Sequence, residues 1–171
     1  PYTVTINEPT ADLTLNSAKR SYGGFDVTCA QNDGEISLSL LNENTPLQAV
    51  IWKRNGSTFS PSSLLSANNL TAANYTIDIV DRDGCDASAA LSLSPHPGIA
   101  VVTEATSNFY GFNTKCPTSA EGEGRVLNVT NGFGTLRYAW FDGTMLPTIE
   151  DLMPGSYNVT VTDDNGCSDS E

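Results

Sequence analysis

Apolar and polar residues alternate with period two along most of this chain. Ile36-Ser-Leu38-Ser-Leu40, Tyr75-Thr-Ile77-Asp-Ile79 and Tyr157-Asn-Val159-Thr-Val161 each place every second residue on one apolar face. Tyr2-Thr-Val4-Thr-Ile6 and Ala89-Ala-Leu91-Ser-Leu93 do the same. Successive side chains of a strand point to opposite faces, so this is the pattern of half-buried strands. No stretch carries a convincing period of 3.6. The alternating segments are separated by Asp33-Gly34, Asn55-Gly56, Asp83-Gly84, Asn131-Gly132, Asp142-Gly143 and Asn165-Gly166. Such dipeptides supply the positive φ that tight hairpins need. Many short strands at this spacing predict an all-β fold of antiparallel sandwiches.

The second half of the chain repeats the first. Tyr75-Thr-Ile-Asp-Ile-Val-Asp81-Arg-Asp-Gly84-Cys85 returns as Tyr157-Asn-Val-Thr-Val-Thr-Asp163-Asp-Asn-Gly166-Cys167. A Trp precedes each copy, Trp52 and Trp140, and a Cys precedes each Trp, Cys29 and Cys116. A period of about 85 residues is too long for one solenoid coil and predicts two small tandem domains. The boundary falls at Ser94-Pro95-His96-Pro97-Gly98, where two prolines and a glycine cannot continue a central strand. Residues 10–94 and 95–171 are therefore expected to form two immunoglobulin-like β-sandwich repeats. Residues 1–9 are expected to close a preceding repeat or to serve as a linker, because Tyr2 to Asn7 resembles Ala89 to Ser94. The chain starts at Pro1 without Met and stops at Glu171, just past Cys167. By that register it is expected to be a piece cut out of phase, with the final strand of the second repeat missing and an edge left open or filled by another segment.

Domains of about 80 residues have marginal cores and are often stapled. Four cysteines at equivalent places suggest one disulfide per repeat, Cys29–Cys85 and Cys116–Cys167. Each would stabilise its domain by roughly 4 kcal/mol on the chain-entropy model and would imply an oxidising, extracellular compartment. Zinc is the rival use. Without a Cys-x-x-Cys pair and with His96 as the single histidine, a four-ligand site is not expected. His96 lies between Pro95 and Pro97 and reads as an exposed linker residue rather than a ligand or a catalytic base.

A net charge of −12 argues against nucleic acid and against anionic membrane surfaces as partners. Ser, Thr and Asn are abundant and Lys is scarce, a composition of secreted, β-rich adhesins rather than of enzymes. The chain carries neither a signal peptide nor a run of 18 apolar residues.

One segment carries a family likeness. Leu152-Met-Pro-Gly155-Ser-Tyr157-Asn-Val159-Thr-Val161-Thr-Asp163-Asp-Asn-Gly166-Cys167 resembles the signature of SprB-type repeats, which occur in gliding-motility adhesins and other very large surface proteins of the Bacteroidetes. The second repeat adds Cys116, Gly124-Arg-Val126 and Asn131-Gly-Phe-Gly134-Thr-Leu-Arg-Tyr138-Ala-Trp140. The first adds Cys29, Gly34-Glu-Ile36, Trp52, Leu70, Tyr75 and Asp81 to Cys85, but lacks the glycines and the Tyr before Trp52 and has Ala73-Asn74 before Tyr75. The resemblance implies extracellular β-sandwich modules in a long tandem array at the cell surface, exported by the type IX secretion route.

Asp81, Asp83, Asp163 and Asn165 are candidate calcium ligands, since carboxylates at alternate positions can converge on one hard cation. The EF-hand pattern fails because Ser92, not Glu, is twelfth from Asp81, and the favoured assignment is a tight turn. Trp52 and Trp140 are candidate saccharide-stacking residues. Their recurrence in apolar alternation favours a core position instead. Tyr75 and Tyr157 precede Cys85 and Cys167 by ten residues, whereas the immunoglobulin tyrosine corner stands two before its cysteine. That spacing points to shared architecture without homology. No nucleophile elbow, zincin motif or phosphate loop occurs, and catalysis is not expected.

The chain is thus expected to be a non-enzymatic tandem-repeat segment of a large extracellular adhesin, acting as an extended spacer or surface-contact module with a part in gliding motility. Its expected partners are neighbouring repeats and surface polysaccharide, with no cofactor beyond the candidate calcium. The alternative is a carbohydrate- or protein-binding module of a secreted multidomain protein.

Overall fold

A computed structural model describes residues 2–5, 12–43 and 46–171. Among them every regular element is a strand, and no helix is long and apolar enough to cross a membrane. The chain divides into two compact units. One holds residues up to Val27 and Gln31–Pro95; the other holds Thr28–Ala30 and His96–Glu171. The tripeptide around Cys29 is therefore part of the second unit, although its sequence lies in the first repeat. Of residues 1–9, those at 2–5 carry no regular structure and are exposed, and the rest of that expected closing strand lies outside the described residues.

The first unit contains β1 (Thr14–Lys19), β2 (Gly34–Leu41), β3 (Ala49–Arg54), β4 (Ser57–Phe59), β5 (Ser66–Leu70), β6 (Ala73–Val80) and β7 (Asp86–Leu93). They form two antiparallel sheets, β1-β2-β5 and β4-β3-β6-β7. Alternation places Ile36 and Leu38 of β2 on the inner face of one sheet, and an irregularity in the β2–β5 register, with Asn69 at φ 54°, brings both Ala67 and Leu70 of β5 to the same core. Trp52, Tyr75, Ile77, Ile79 and Leu93 line the inner face of the other, and all nine belong to one buried cluster. The unit is thus sandwich-like, two sheets sharing one apolar core. The Asn55-Gly56 hairpin has φ of 49° and 83°, and joins β3 to β4 as its residue types require.

The second unit contains β8 (Ala100–Ala105), β9 (Gly122–Thr130), β10 (Arg137–Trp140), β11 (Thr148–Leu152), β12 (Val159–Thr162) and β13 (Ser168–Ser170). Its sheets are β11-β9-β8 and β10-β12-β13, the same order without a counterpart of β4. After Trp140 the chain turns at once: the Gly143 amide donates to the Trp140 carbonyl, and the Trp140 amide to the Thr144 carbonyl. The core is smaller, built from Ile99, Val101, Trp140, Ile149, Val159, Val161 and Cys167. β13 stands where β7 stands in the first unit but pairs with β12 over three residues, against eight for β7 with β6.

The repeat extends to register. Trp52 lies opposite Ile77, two residues after Tyr75, and Trp140 lies opposite Val159, two residues after Tyr157. Gly34 is opposite Leu70, and Gly122 is opposite Leu152. The structural partner of Gly34 is therefore Gly122, two residues before the Gly124 that the sequence motif suggests.

Candidate functional site

The expected disulfides do not form. Cys29 is bonded to Cys167, with Cα atoms 5.3 Å apart, while Cys85 and Cys116 are exposed thiols. The reason lies in the path of the chain. Thr28–Ala30 belongs to the second unit, so Cys29 is not available to Cys85, which stands exposed in the turn between β6 and β7. The bond closes a sequence separation of 138 residues. On the chain-entropy model such a loop constrains the unfolded chain by roughly 5 kcal/mol.

His96 is also not the exposed linker residue its flanking prolines suggest. It is buried, and its ring is held at both nitrogens. Nε2 lies 2.9 Å from the Asn131 carbonyl, and Nδ1 accepts from the Gly98 amide at 3.0 Å. That pattern places the proton on Nε2. The Asn131 side chain in turn donates to the Gly98 carbonyl, and both sulfurs of the disulfide lie 3.6 Å from Nδ1. Cys29, His96 and Cys167 form the one cluster of three potential metal ligands among the described residues. A metal needs thiolates, and these sulfurs are spent on each other. The cluster is a part-buried disulfide packed against the His96 ring.

Asp81 and Asp163 act as turn builders. Oδ1 of Asp81 accepts from the amides of Asp83 and Cys85 at 3.0 and 2.9 Å. Oδ1 of Asp163 accepts from those of Asn165 and Cys167, both at 2.9 Å. Both carboxylates are buried, and Asp163 also accepts from the Phe133 amide through Oδ2. Gly84 and Gly166 follow with φ of 89° and 77°, which only glycine adopts freely. In each turn Oδ1 is thereby committed to two backbone donors.

Trp52 and Trp140 are 1% and 7% exposed, so neither indole face is open to a sugar. Each N–H donates to a backbone carbonyl, of Leu64 at 3.0 Å and of Leu146 at 2.9 Å. Tyr75 donates its hydroxyl to the Thr71 carbonyl and Tyr157 to the Met153 carbonyl, both at 2.8 Å and both four residues upstream. This is the tyrosine-corner bond. Cys85 and Cys167, ten residues after each Tyr, lie in the turn beyond the strand. The place two residues after each Tyr belongs to Ile77 and Val159, fully buried apolar residues.

Two features escaped the sequence reading. Tyr22-Gly-Gly-Phe25 and Phe109-Tyr-Gly-Phe112 are matching hairpin tips, each seven residues ahead of a cysteine at its aromatic start. Gly23 and Gly24 have φ of 66° and 102°, and Tyr110 and Gly111 have 55° and 95°. The recurring aromatic-x-Gly-Phe before Cys was the available signal. The second tip borders a groove of about 940 Å³ in the second unit. Phe109, Phe112, Leu152, Met153 and Tyr157 make its apolar wall, and Lys115, Cys116 and Glu123 supply its polar part. Lys115 sits 4.8 Å from the centre of the Phe109 ring.

In the first unit the polar feature is Asp26, buried beside β7. Its Oδ2 accepts from Lys19 Nζ at 2.7 Å and from the amide and hydroxyl of Ser94 at 2.8 and 2.7 Å. Burial alone would raise its pKa; the hydrogen bonds from Lys19 and Ser94 outweigh it and hold the carboxyl below its ordinary 3.8.

No protein-family model matches the chain, and no curated protein matches it with significance.

Proposed function

We propose that this chain is a pair of immunoglobulin-like repeats from a large extracellular surface protein of the SprB-repeat kind, and that it serves as a load-bearing spacer rather than as an enzyme. The observation that carries this reading is the repetition of one core at one register. Trp52, Trp140, Tyr75, Asp81 and Asp163 are buried, hydrogen-bonded framework residues; Tyr157 repeats the bond of Tyr75 but is half-buried at the wall of the groove. The sheet order of the first unit, 1-2-5 against 4-3-6-7, supports the immunoglobulin-like assignment, since it sets the first, second and fifth strands against the third, sixth and seventh. A disulfide points to an oxidising compartment, which agrees with surface localisation and with export by the type IX route. Adhesion, and any part in gliding, would then arise from many repeats acting together.

A second reading, a recognition module for polysaccharide or protein, is favoured by the aromatic groove of the second unit. The test is binding of the oxidised chain to a broad glycan and polysaccharide array. Silence supports the spacer. Saturable binding abolished by Phe109→Ser together with Tyr157→Ser would replace it with the recognition module.

A further inference from the structure

The cluster of Cys29, His96 and Cys167 has a second use once its disulfide is open. All three residues belong to the second unit. Their ligand atoms, two Sγ and the Nδ1 of His96, lie within 4.8 Å of one another. Each sulfur stands 3.6 Å from Nδ1. In a tetrahedral zinc site, with Zn–S of about 2.3 Å and Zn–N of about 2.0–2.1 Å, the S···N edge is roughly 3.6 Å and the S···S edge roughly 3.8 Å. Both S···N edges are therefore already in place, and only the two sulfurs have to part. A change of side-chain rotamer at the partly buried Cys29 supplies that movement.

The imidazole is set as that of a metal ligand is. Its Nε2–H donates to the Asn131 carbonyl, which leaves the Nδ1 lone pair on the side of the sulfurs. A backbone carbonyl on the far nitrogen is a usual outer partner of a metal-bound histidine. Nδ1 accepts from the Gly98 amide at 3.0 Å while the disulfide is closed. Gly98 is half-buried, so this amide can turn to water when the lone pair goes to a metal. Two thiolates and one divalent ion sum to zero charge, so His96 and Cys167 can stay buried around it. The ligands lie 67 and 71 residues apart in sequence, which is why no Cys-x-x-Cys pair marks them.

We propose that the reduced chain binds one divalent cation of the zinc class through Cys29, His96 and Cys167, with water in the fourth position. A dithiol reductant gives two electrons and two protons to the S–S bond and itself becomes a disulfide; the two new thiols then release two protons as the metal binds. The ion replaces the S–S bond in tying Thr28–Ala30 to the turn between β12 and β13. The second unit thus has a covalent and a metal-held form of one tie. This inference goes beyond the spacer reading and does not rest on it.

The test uses the full chain carrying Cys85→Ser and Cys116→Ser, so that Cys29 and Cys167 supply its only sulfurs from cysteine. It is reduced with dithiothreitol, freed of reductant without oxygen, and titrated with Co(II). The expected result is one cobalt per chain, with a thiolate-to-cobalt charge-transfer band and the strong visible bands of a tetrahedral ion, bleached by one equivalent of zinc. The oxidised protein should show neither. Adding His96→Gln should weaken cobalt binding by about tenfold or more. Because His96 is the single histidine, its two ring nitrogens can be followed by themselves after isotope labelling. A spin-active cadmium isotope should couple to Nδ1 and not to Nε2, a signature that a merely structural histidine does not give. Absence of the cobalt bands from the reduced protein, whether folded or not, would overturn the proposal. So would bands that His96→Gln leaves unchanged, or coupling at Nε2.

Discussion

Cys29 and Cys167 are joined across a sequence separation of 138 residues, so β2 to β12 all lie inside one covalent loop. Load applied at the two ends of the chain reaches the disulfide before it reaches those strands. Only the residues up to Cys29, with β1, and those after Cys167, with β13, can be drawn out. At roughly 3.5 Å per extended residue, the shielded length is on the order of 480 Å. Single-molecule pulling from the termini should therefore show a short extension in oxidising buffer and a further gain of about that length once a reductant is added. Cys29→Ser should show the long extension in both buffers. Full extension of the unreduced wild type would mean that the bond carries no load.

The tyrosine corners should differ in worth. Tyr75 is 1% exposed, and the Thr71 carbonyl it satisfies is part-buried, whereas the Tyr157 hydroxyl bond lies in the open. A buried acceptor that loses its donor costs about 1–3 kcal/mol, and an exposed one recruits water. Tyr75→Phe should lower the urea midpoint clearly, by the equivalent of 1 kcal/mol or more. Tyr157→Phe should leave it nearly unchanged. Equal shifts would show that the two corners are equally sealed in solution.

Alternation along a strand encodes which face a residue takes, not which partner it meets. Period two marks inner and outer faces, so Ile36, Tyr75, Ile77 and Val159 could be placed inside at once. Recurrence identified Cys29 with Cys116 and Cys85 with Cys167. Equivalence does not say which copy a residue bonds to, however. A start cysteine satisfied within its own repeat and one satisfied in the next give the same sequence, and only the path of Thr28–Ala30 separates them. His96 was misplaced for a related reason. Its flanking prolines are local, while its burial depends on Asn131, 35 residues away. The groove was invisible because it depends on how far the partner of β12 runs, a matter of pairing rather than of composition.

The acidic turns yield a test of calcium. Asp81 and Asp163 each hold two amides of their own turn through Oδ1. Asp163→Ala would strip the amides of Asn165 and Cys167 of their acceptor next to the disulfide, at a cost of about 1–3 kcal/mol. Asp163→Asn, which keeps one acceptor oxygen, should recover much of that loss. If amides are the carboxylates' whole purpose, thermal melts of the wild type in millimolar calcium and in chelator should superimpose. A rise in melting temperature with calcium that is lost in Asp163→Asn would assign these turns a metal after all.

Acid should weaken the unit that holds Asp26. The carboxylate is buried and bound by Lys19 and Ser94, so its pKa in the folded chain is below the ordinary 3.8. A depressed carboxylate contributes stability in full above its unfolded value, and that contribution is lost as pH falls through the folded value. Between pH 7 and 5 the term should be constant; below about 4 it should fade as the native carboxylate takes up its proton. Asp26→Asn removes the titration and keeps the shape. The variant should be less stable than the wild type at pH 7, because Lys19 and the Ser94 amide and hydroxyl then face a neutral amide. The gap should close as the pH drops below 4. Denaturation of both proteins at pH 7, 5 and 3 checks this. A stability difference that stays the same at all three would show that Asp26 contributes through packing alone and that its charge is idle.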